Sequence, residues 1–328
     1  MIDLAAFISR AQGIKTSLLG ATELSRYSLR SAQTKLSPQG RNPPHTTTMT
    51  AQKTPIYFLS HGGPQTCHTP THPVYPQLQS IGREISNTST KPAAIVVFSA
   101  HWQSSSGPNT IEVNTSDKPL PLIYDFYGFP DHYYKTQFPY RASGKVSQRV
   151  MDVLNEGGVK AVGVERGLDH GVWVPFKVVF EGLEKEMPPI VQVSLFGAED
   201  AEEHLRLGRV VARLREENIL IVVSGMAVHN LRDMWVTIRD PKPLSYTASF
   251  DEALREAVES DPGSDRDTRM KELVKRTDVK RAHPTLEHLL PIHVGVGAAG
   301  SDRGKRLWTM GEGSLSWAQF RFGEVRSG

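Results

Sequence analysis

Short runs of apolar, mostly β-branched residues recur along the chain from residue 54 onward. They are IYFLS (56–60), AAIVVFSA (93–100), IVQVSLF (190–196) and ILIVVSG (219–225). Continuous apolar runs of this length, bounded by Pro or Gly, are typical of strands that are buried on both faces. We therefore predict a parallel or mixed sheet that is covered by helices.

Four helix-like stretches lie between and after these runs. The second of them carries acids at its start and arginines towards its end, which suits the helix dipole. Strands that alternate with helices predict an α/β domain with a central, mostly parallel or mixed β-sheet flanked by helices. The predicted helices are 146–157, 198–218, 249–260 and 285–300.

The first 53 residues differ from the rest in composition, since they are rich in Ser, Thr, Arg and Gln. Residues 1–55 contain seven Lys/Arg and two acids, which gives this segment a formal charge of +5. Since the whole chain has a formal charge of +3, the remaining residues carry +3 − 5 = −2. The near-neutral body gives no indication of nucleic-acid binding. We predict a disordered or transit-like extension over 1–53, one catalytic domain over 54–322 and a tail over 323–328.

Cysteine usage and hydropathy bear on the compartment. Cys67 is the only cysteine, which excludes an internal disulfide and a Cys-rich metal site and favours the reducing cytoplasm. The chain has no run of 18 apolar residues, so we expect no transmembrane helix. The acid-poor opening segment also has the composition of a mitochondrial transit peptide, which stays open as an alternative. A homo-oligomer stays open as well.

Three histidines occur where apolar runs stop. His61 follows the first run, His101 follows the second, and His229 comes four residues after Gly225, which ends the fourth run. In open α/β sheets, ligands bind outside the carboxyl ends of the strands. These imidazoles could therefore meet at one point and hold a metal ion. Imidazole without thiolate suits non-haem Fe(II) or catalytic Zn(II).

Two more histidines share this setting of glycines and strand ends. His288 lies in HPTLEHLLP, within the first turns of the fourth predicted helix, and His170 lies in GLDHGVWVP, which we interpret as a loop flanked by glycine. Gly62, Gly63 and Gly171 leave room for the close approach of a ligand. We interpret the remaining histidines of the body as ordinary partly buried or surface residues; they are His68, His72, His132, His204, His283 and His293.

Six motifs occur in the order that is found in a known enzyme family. They are SHGGP, SAHW, YDFYGFP (124–130), LDHGVWVP, SGMAVHNL and PTLEHLLP. With them, residues 54–322 resemble the DOPA 4,5-dioxygenase family of the class III extradiol (LigB-type) superfamily. The closing GEGSLSWAQFRF (311–322) resembles the C-terminal strand of that family.

The resemblance implies a role for each of the five histidines. His61 and His101 match the two N-terminal metal-ligand positions of the superfamily. His288 matches the third ligand, which is a glutamate in many members, so that the adjacent Glu287 is the alternative. His229 matches a position that is treated either as a fourth ligand or as an acid/base beside the metal. His170 matches the other acid/base position.

The implied reaction is extradiol opening of a catechol, which chelates the metal through two oxygens while O₂ takes a third position. Three protein ligands on an octahedral ion leave three sites free, which is the number that catechol and O₂ together need. We expect one divalent ion per chain, Fe(II) for activity, with Zn(II) as another occupant. Substrate and O₂ are then the partners, without nucleic acid or membrane. The aromatic side chains predicted to form the substrate pocket are Tyr124, Tyr127, Phe129 and Trp102.

Two other functions are compatible with a histidine metal site. A zinc hydrolase would need a carboxylate base poised beside the metal, as in H-E-x-x-H, and the sequence has no such motif. A zinc-binding, non-redox member of the superfamily could act as a binding or signalling protein. That function has no need of the acid/base pair His170 and His229, so an intact pair favours the enzyme.

Overall fold

Eight strands form one mixed sheet in the computed structural model, which describes residues 53–237 and 240–325. Three short strands form a second, smaller sheet. The predicted extension lies outside the described residues except for Lys53, and the predicted tail is described as far as Val325. The strands are β1 (Ile56–Ser60), β2 (Ala94–Gln103), β3 (Thr110–Asn114), β4 (Lys160–Val164), β5 (Ile190–Leu195), β6 (Ile219–Gly225), β7 (Val228–His229), β8 (Gly304–Trp308), β9 (Gly311–Glu312), β10 (Leu315–Ser316) and β11 (Gln319–Phe322).

Helices connect the strands, and together they make the α/β domain that the sequence predicts. Short 3-10 helices cover Pro64–His68, Tyr133–Lys135 and Ala212–Glu217. The α-helices are α1 (Val74–Ser86), α2 (Gly144–Glu156), α3 (His170–Val179), α4 (Ala201–Val211), α5 (Met234–Thr237), α6 (Ser245–Glu259), α7 (Ser264–Leu273), α8 (Val279–Ala282) and α9 (Leu290–Ala299).

The large sheet has the strand order β4-β3-β5-β2-β6-β1-β11-β8. Its centre is parallel, because β6 pairs in parallel with both β1 and β2, and β2 pairs in parallel with β5. All four predicted strands are confirmed, although β2 continues three residues beyond its predicted end. Antiparallel pairing of β1 with β11 makes the sheet mixed.

Alternate residues of the central strands bury into two separate apolar layers. Phe58 of β1 and Val96 of β2 belong to the layer that includes Leu205 of α4. Tyr57 and Val97 belong to the layer on the other face. Since side chains alternate along a strand, a run that is apolar at every position needs helices on both faces of the sheet.

Three predicted elements are shorter or more divided than the sequence suggests. The stretch 198–218 is α4 followed by a 3-10 helix, and its start is capped by Asp200, whose carboxylate accepts from the backbone N–H groups of Glu202 and Glu203. The predicted helix 285–300 begins only at Leu290. The predicted strand 311–322 is three short strands, because Gly313, at a φ of +56°, turns the chain between the first two.

Three histidines outside the strand-end group, His204, His283 and His293, are fully buried and bond to the backbone. His204 and His283 illustrate the consequence. Nδ1 of His204 donates to the carbonyl oxygen of Asp200 (2.6 Å), and Nε2 of His283 donates to that of Ala227 (3.0 Å). Burial lowers the pKa of each ring to about 4, against the opposing effect of these hydrogen bonds. Both rings therefore stay neutral in the native protein over a pH range in which an unfolded chain protonates them.

We expect the metal-free protein to lose stability as the pH falls from about 6.5 towards 4. Over that range the unfolded state binds protons that native His204 and His283 do not, which lowers the free energy of unfolding by up to about 1.4 kcal/mol per pH unit for each ring. Urea unfolding in a chelator at several pH values measures the slope. His204→Gln should make it shallower by about that amount, and an unchanged slope would contradict the assignment.

Candidate metal centre

The three central parallel strands bring their histidines to one edge of the sheet. His61 follows β1 directly, and its backbone N–H donates to the carbonyl oxygen of Gly225 at the end of β6 (3.0 Å). His101 lies inside β2 rather than after it. His229 lies in β7, beyond β6, and pairs with Leu315 of the small sheet.

The other two histidines of the group lie in secondary structure that differs from the prediction. His170 is the first residue of α3 and not part of a loop. His288 lies in a turn before α9 and not in the helix. The carbonyl oxygen of His288 accepts from the backbone N–H of Met226 (3.0 Å), which holds this turn against the end of β6. A Cβ on Gly225 would come within 2.2 Å of that oxygen, so only glycine allows the contact.

The rings of His61, His101 and His288 form a nearly equilateral triangle. Their centroids are 4.9 Å apart for His61 and His101, 5.4 Å for His61 and His288, and 4.9 Å for His101 and His288. Imidazoles that bind one ion in adjacent positions, with metal–nitrogen bonds of about 2.0–2.1 Å, have centroids roughly 4.6–5.2 Å apart. The two sides of 4.9 Å lie within this range and the side of 5.4 Å lies just above it, so the triangle has nearly the dimensions of a three-histidine metal site.

Each ring of this triangle turns its Nδ1 towards an oxygen. Nδ1 of His61 lies 2.6 Å from the carbonyl oxygen of Gly62, that of His101 lies 3.0 Å from Oδ2 of Asp125, and that of His288 lies 3.0 Å from Oε1 of Glu287. These oxygens are hydrogen-bond acceptors, so Nδ1 carries the proton and Nε2 keeps its lone pair. Histidines that bind metals commonly have such an acceptor on the other nitrogen.

The Nε2 atoms face inward without a protein donor to pair with. That of His61 is buried and has no hydrogen-bond partner among the described residues. Those of His101 and His288 are 3.2 Å apart. Two lone pairs at that distance repel each other unless a cation, either a proton on one ring or a metal ion, lies between them. The donor set thus fits a divalent metal.

Burial and mutual proximity keep most of these rings neutral, as metal ligands must be. Burial and the neighbouring His101 lower the pKa of His61 well below its usual value, and burial and His229 do the same for the pKa of His288. His101 differs. Burial would lower its pKa, but the hydrogen bond and charge of Asp125 outweigh that effect and raise it. His101 therefore binds a proton more readily than His61 or His288 does.

His170 and His229 flank the triangle on different sides. The ring of His170 is 3.9 Å from that of His101, and the ring of His229 stacks on His288 at 3.6 Å with an interplanar angle of 16°. Both distances between ring centroids are shorter than the distance expected for two imidazoles that bind the same ion. By the positions of possible ligand atoms alone, His170 groups with His61 and His101, and His229 groups with His288 and a carboxylate oxygen of Glu287, with the atoms of each set within 4.8 Å of one another.

The structure brings only part of the predicted aromatic pocket towards the cluster. Tyr124 and Phe129 pack around Phe126, whose ring centroid is 5.6 Å from that of His170 in an edge-on arrangement. Tyr127 is 81% exposed and contacts none of these rings. The Trp102 indole points away from His101, because neighbours on a strand face opposite sides, and its N–H donates to Glu112 (2.9 Å).

Sequence reasoning missed two residues of the YDFYGFP motif that do touch the histidines. Asp125 bonds to His101 and His170, and Phe126 packs on His170. The sequence did contain a signal for Asp125, because it is a carboxylate inside an aromatic motif. An acid that is buried among aromatic side chains needs a hydrogen-bond partner. The predicted role of Gly171 also changes. A Cβ there would come within 2.9 Å of the His101 ring, so its small size makes room for a histidine.

Comparisons with known proteins identify the family of the chain. The family described as the catalytic LigB subunit of aromatic ring-opening dioxygenase matches residues 48–314. A Beta vulgaris protein named 4,5-DOPA dioxygenase extradiol is 33% identical over 273 residues, which cover 81% of this chain and 95% of that protein. An Escherichia coli K12 protein of the same name is 32% identical over 261 residues, or 76% of this chain and 87% of the relative.

Solved structures include one with the same fold. The crystal structure of an uncharacterized protein from Escherichia coli K12 aligns with a TM-score of 0.65 and 27% sequence identity, and covers 82% of this chain and 99% of that one. Within the described part of the chain, none of the helices is long and apolar enough to cross a membrane.

Proposed function

The chain belongs to the family of catalytic LigB subunits of aromatic ring-opening dioxygenases, and from that premise we propose that it is an extradiol dioxygenase. It opens a catechol by inserting both atoms of O₂ beside the pair of hydroxyl groups. The histidine cluster is its metal site. The domain that carries this activity spans residues 54–322.

His61, His101 and His288 are the residues that hold the metal. The observation that carries this assignment is the 3.2 Å approach of two Nε2 atoms whose rings each turn Nδ1 towards a carboxylate oxygen. Fe(II) held there would supply the redox-active centre for the reaction of catechol with O₂, whereas Zn(II) would not take part in redox chemistry. Three protein ligands would leave room on the ion for a bidentate catechol and O₂.

His170 is the acid/base group. Its Nδ1 donates to Oδ1 of Asp125 (2.8 Å), which leaves the lone pair on Nε2 free to accept a proton. Burial and the neighbouring His101 lower the pKa of His170, although Asp125 opposes this shift, so the ring is neutral and basic at pH 7. It takes a hydroxyl proton from the catechol and returns a proton later in the reaction.

His229 acts beside the metal rather than on it. Stacking at 3.6 Å on His288 favours this role, because two ligands of one ion stand further apart. Burial, followed by the nearby His283, lowers the pKa of His229 to about 3. Its neutral ring therefore gives a hydrogen bond to substrate or O₂, and an anionic substrate oxygen beside it would raise its proton affinity.

The substrate is a DOPA-like catechol. Relatives named 4,5-DOPA dioxygenase extradiol support this class of substrate. The edge-on contact of Phe126 with His170 supports an aromatic wall beside the acid/base group, with Tyr124 and Phe129 behind it. The sequence also suggested Tyr127 and Trp102 for this wall. Tyr127 is exposed and the Trp102 indole bonds to Glu112, so neither position supports a role in the substrate pocket.

Anaerobic reconstitution with Fe(II) and ascorbate, followed by a panel of catechols, tests the function. We expect O₂ uptake equal to the catechol consumed and a yellow semialdehyde product, with DOPA or a close analogue among the active substrates. Zinc-loaded protein is the matched control and should consume no O₂. Stoichiometric iron binding without O₂ uptake for any catechol would reject the enzyme and favour a binding or signalling role.

A further inference from the structure

One carboxylate contacts both a metal-site histidine and the acid/base histidine. Oδ2 of Asp125 accepts from Nδ1 of His101 (3.0 Å), and Oδ1 accepts from Nδ1 of His170 (2.8 Å). Oδ1 also accepts from the backbone N–H of His170 (3.1 Å), the first residue of α3. Asp125 comes from the loop that precedes the Tyr133–Lys135 turn, whereas its partners come from β2 and α3.

We propose that Asp125 is a shared positioning residue, which sets the tautomer and orientation of His101 and His170 together. This inference rests on the proposed function, because it assigns Asp125 to the same site. An ionised carboxylate can only accept hydrogen bonds, so both imidazoles must carry their proton on Nδ1. Both Nε2 atoms then present lone pairs, one to the metal and one to the substrate proton.

Three hydrogen bonds converge on the carboxyl group of Asp125, two from the imidazoles and one from the backbone N–H of His170. The centroids of the two rings lie 3.9 Å apart, so a single carboxylate reaches both rings. The residue next in sequence, Phe126, packs edge-on against the His170 ring and limits its movement.

A simpler role for Asp125 would be that of a cap for the start of α3. The N–H of the first helical residue lacks a partner within the helix, and Oδ1 supplies one. The two roles separate in Asp125→Asn. The amide of Asn has one oxygen, which would still accept from the backbone N–H and from Nδ1 of His170. Its NH₂ group would then face Nδ1 of His101. Capping survives this change, whereas His101 must move its proton to Nε2 and lose its lone pair for the metal.

We expect Asp125→Asn to weaken metal binding by about 10–100-fold, the usual effect of removing the acceptor behind a metal-binding histidine. Competition with a chromophoric chelator for Zn(II) or Co(II) measures the affinity without reference to catalysis. Asp131→Asn, at an exposed position of the same loop, is the matched control and should bind like the unmodified protein. Asp125→Glu keeps two acceptors and should bind more tightly than Asp125→Asn.

The tautomers themselves can be read in the unmodified protein by long-range ¹H–¹⁵N correlation spectra of its imidazoles with Zn(II) bound. We expect the Nδ1-protonated form for both His101 and His170. An Nε2-protonated form of either ring, or equal metal affinity for Asp125→Asn and Asp131→Asn, would overturn the proposal. If no catechol reacts but Asp125→Asn still loses metal, the proposed function fails and the role of Asp125 stands.

Discussion

His61→Ala is expected to abolish stoichiometric metal binding and, with it, all ring-opening activity. The His61 ring stands at one corner of the triangle, 4.9 Å from His101 and 5.4 Å from His288, and the main chain that carries it bonds to the end of β6. Gly62 and Gly63, the next two residues, have no side chain that could take the place of its Nε2. Two histidines alone would hold the ion only weakly.

Metal content after dialysis and the metal-induced shift in stability both measure this loss. A ligand at 100 times its dissociation constant adds about 2.7 kcal/mol to the free energy of unfolding. That gain should be present in the unmodified protein and absent in His61→Ala. The metal-free variant should stay folded, since the buried Nε2 of His61 has no protein partner to lose among the described residues.

His132→Ala is the matched control for the loss of an imidazole. His132 is exposed and contacts His68 and Tyr133 rather than the triangle. The control should bind one ion per chain and keep full activity. Retention of one tightly bound ion by His61→Ala would show that the metal lies elsewhere, and would remove the basis for the proposed function.

The central strands were predictable because their burial leaves a direct mark on the sequence. Each of β1, β2, β5 and β6 is covered on both faces, so nearly every position is apolar and the run stands out. The strands of the C-terminal segment are harder to recognise in the sequence. The short strands β9, β10 and β11 lie in two different sheets, and only Gly313 indicates the turn that separates the first two.

The meeting of the histidines at one edge was predictable in part, from the direction of the strands. Parallel strands carry their carboxyl ends to the same edge, so His61 and His101 had to lie on one side if β1 and β2 were close. The strand order, with β6 between them, depends on pairings between distant segments. Local sequence gives no measure of those pairings.

The sites of His288 and His170 could not be read from local sequence, because tertiary contacts decide both. The turn that carries His288 is held by a hydrogen bond to Met226 and by the close approach of Gly225. Asp125 reaches His170 from 45 residues away in sequence. Helical spacing predicted a longer α9, but these contacts keep its first residues out of the helix.

His170→Ala is expected to keep the metal and to slow turnover by about 10²–10⁴-fold, the usual contribution of an acid/base group. Its ring lies 3.9 Å from His101, too close for both to bind one ion in adjacent positions, while its Nε2 is free to exchange a proton. Steady-state kinetics with the active catechol, together with metal analysis of the same sample, separate the two effects. Added imidazole should restore part of the rate.

The same variant decides between the triangle of His61, His101 and His288 and the alternative set of His61, His101 and His170. If His170 completed a site with His61 and His101, its removal would release the metal and His288→Ala would retain it. If the triangle with His288 is the site, the outcomes are reversed. The second result is expected, because the Nε2 atoms that approach to 3.2 Å belong to His101 and His288, and only a cation between them relieves the repulsion of their lone pairs.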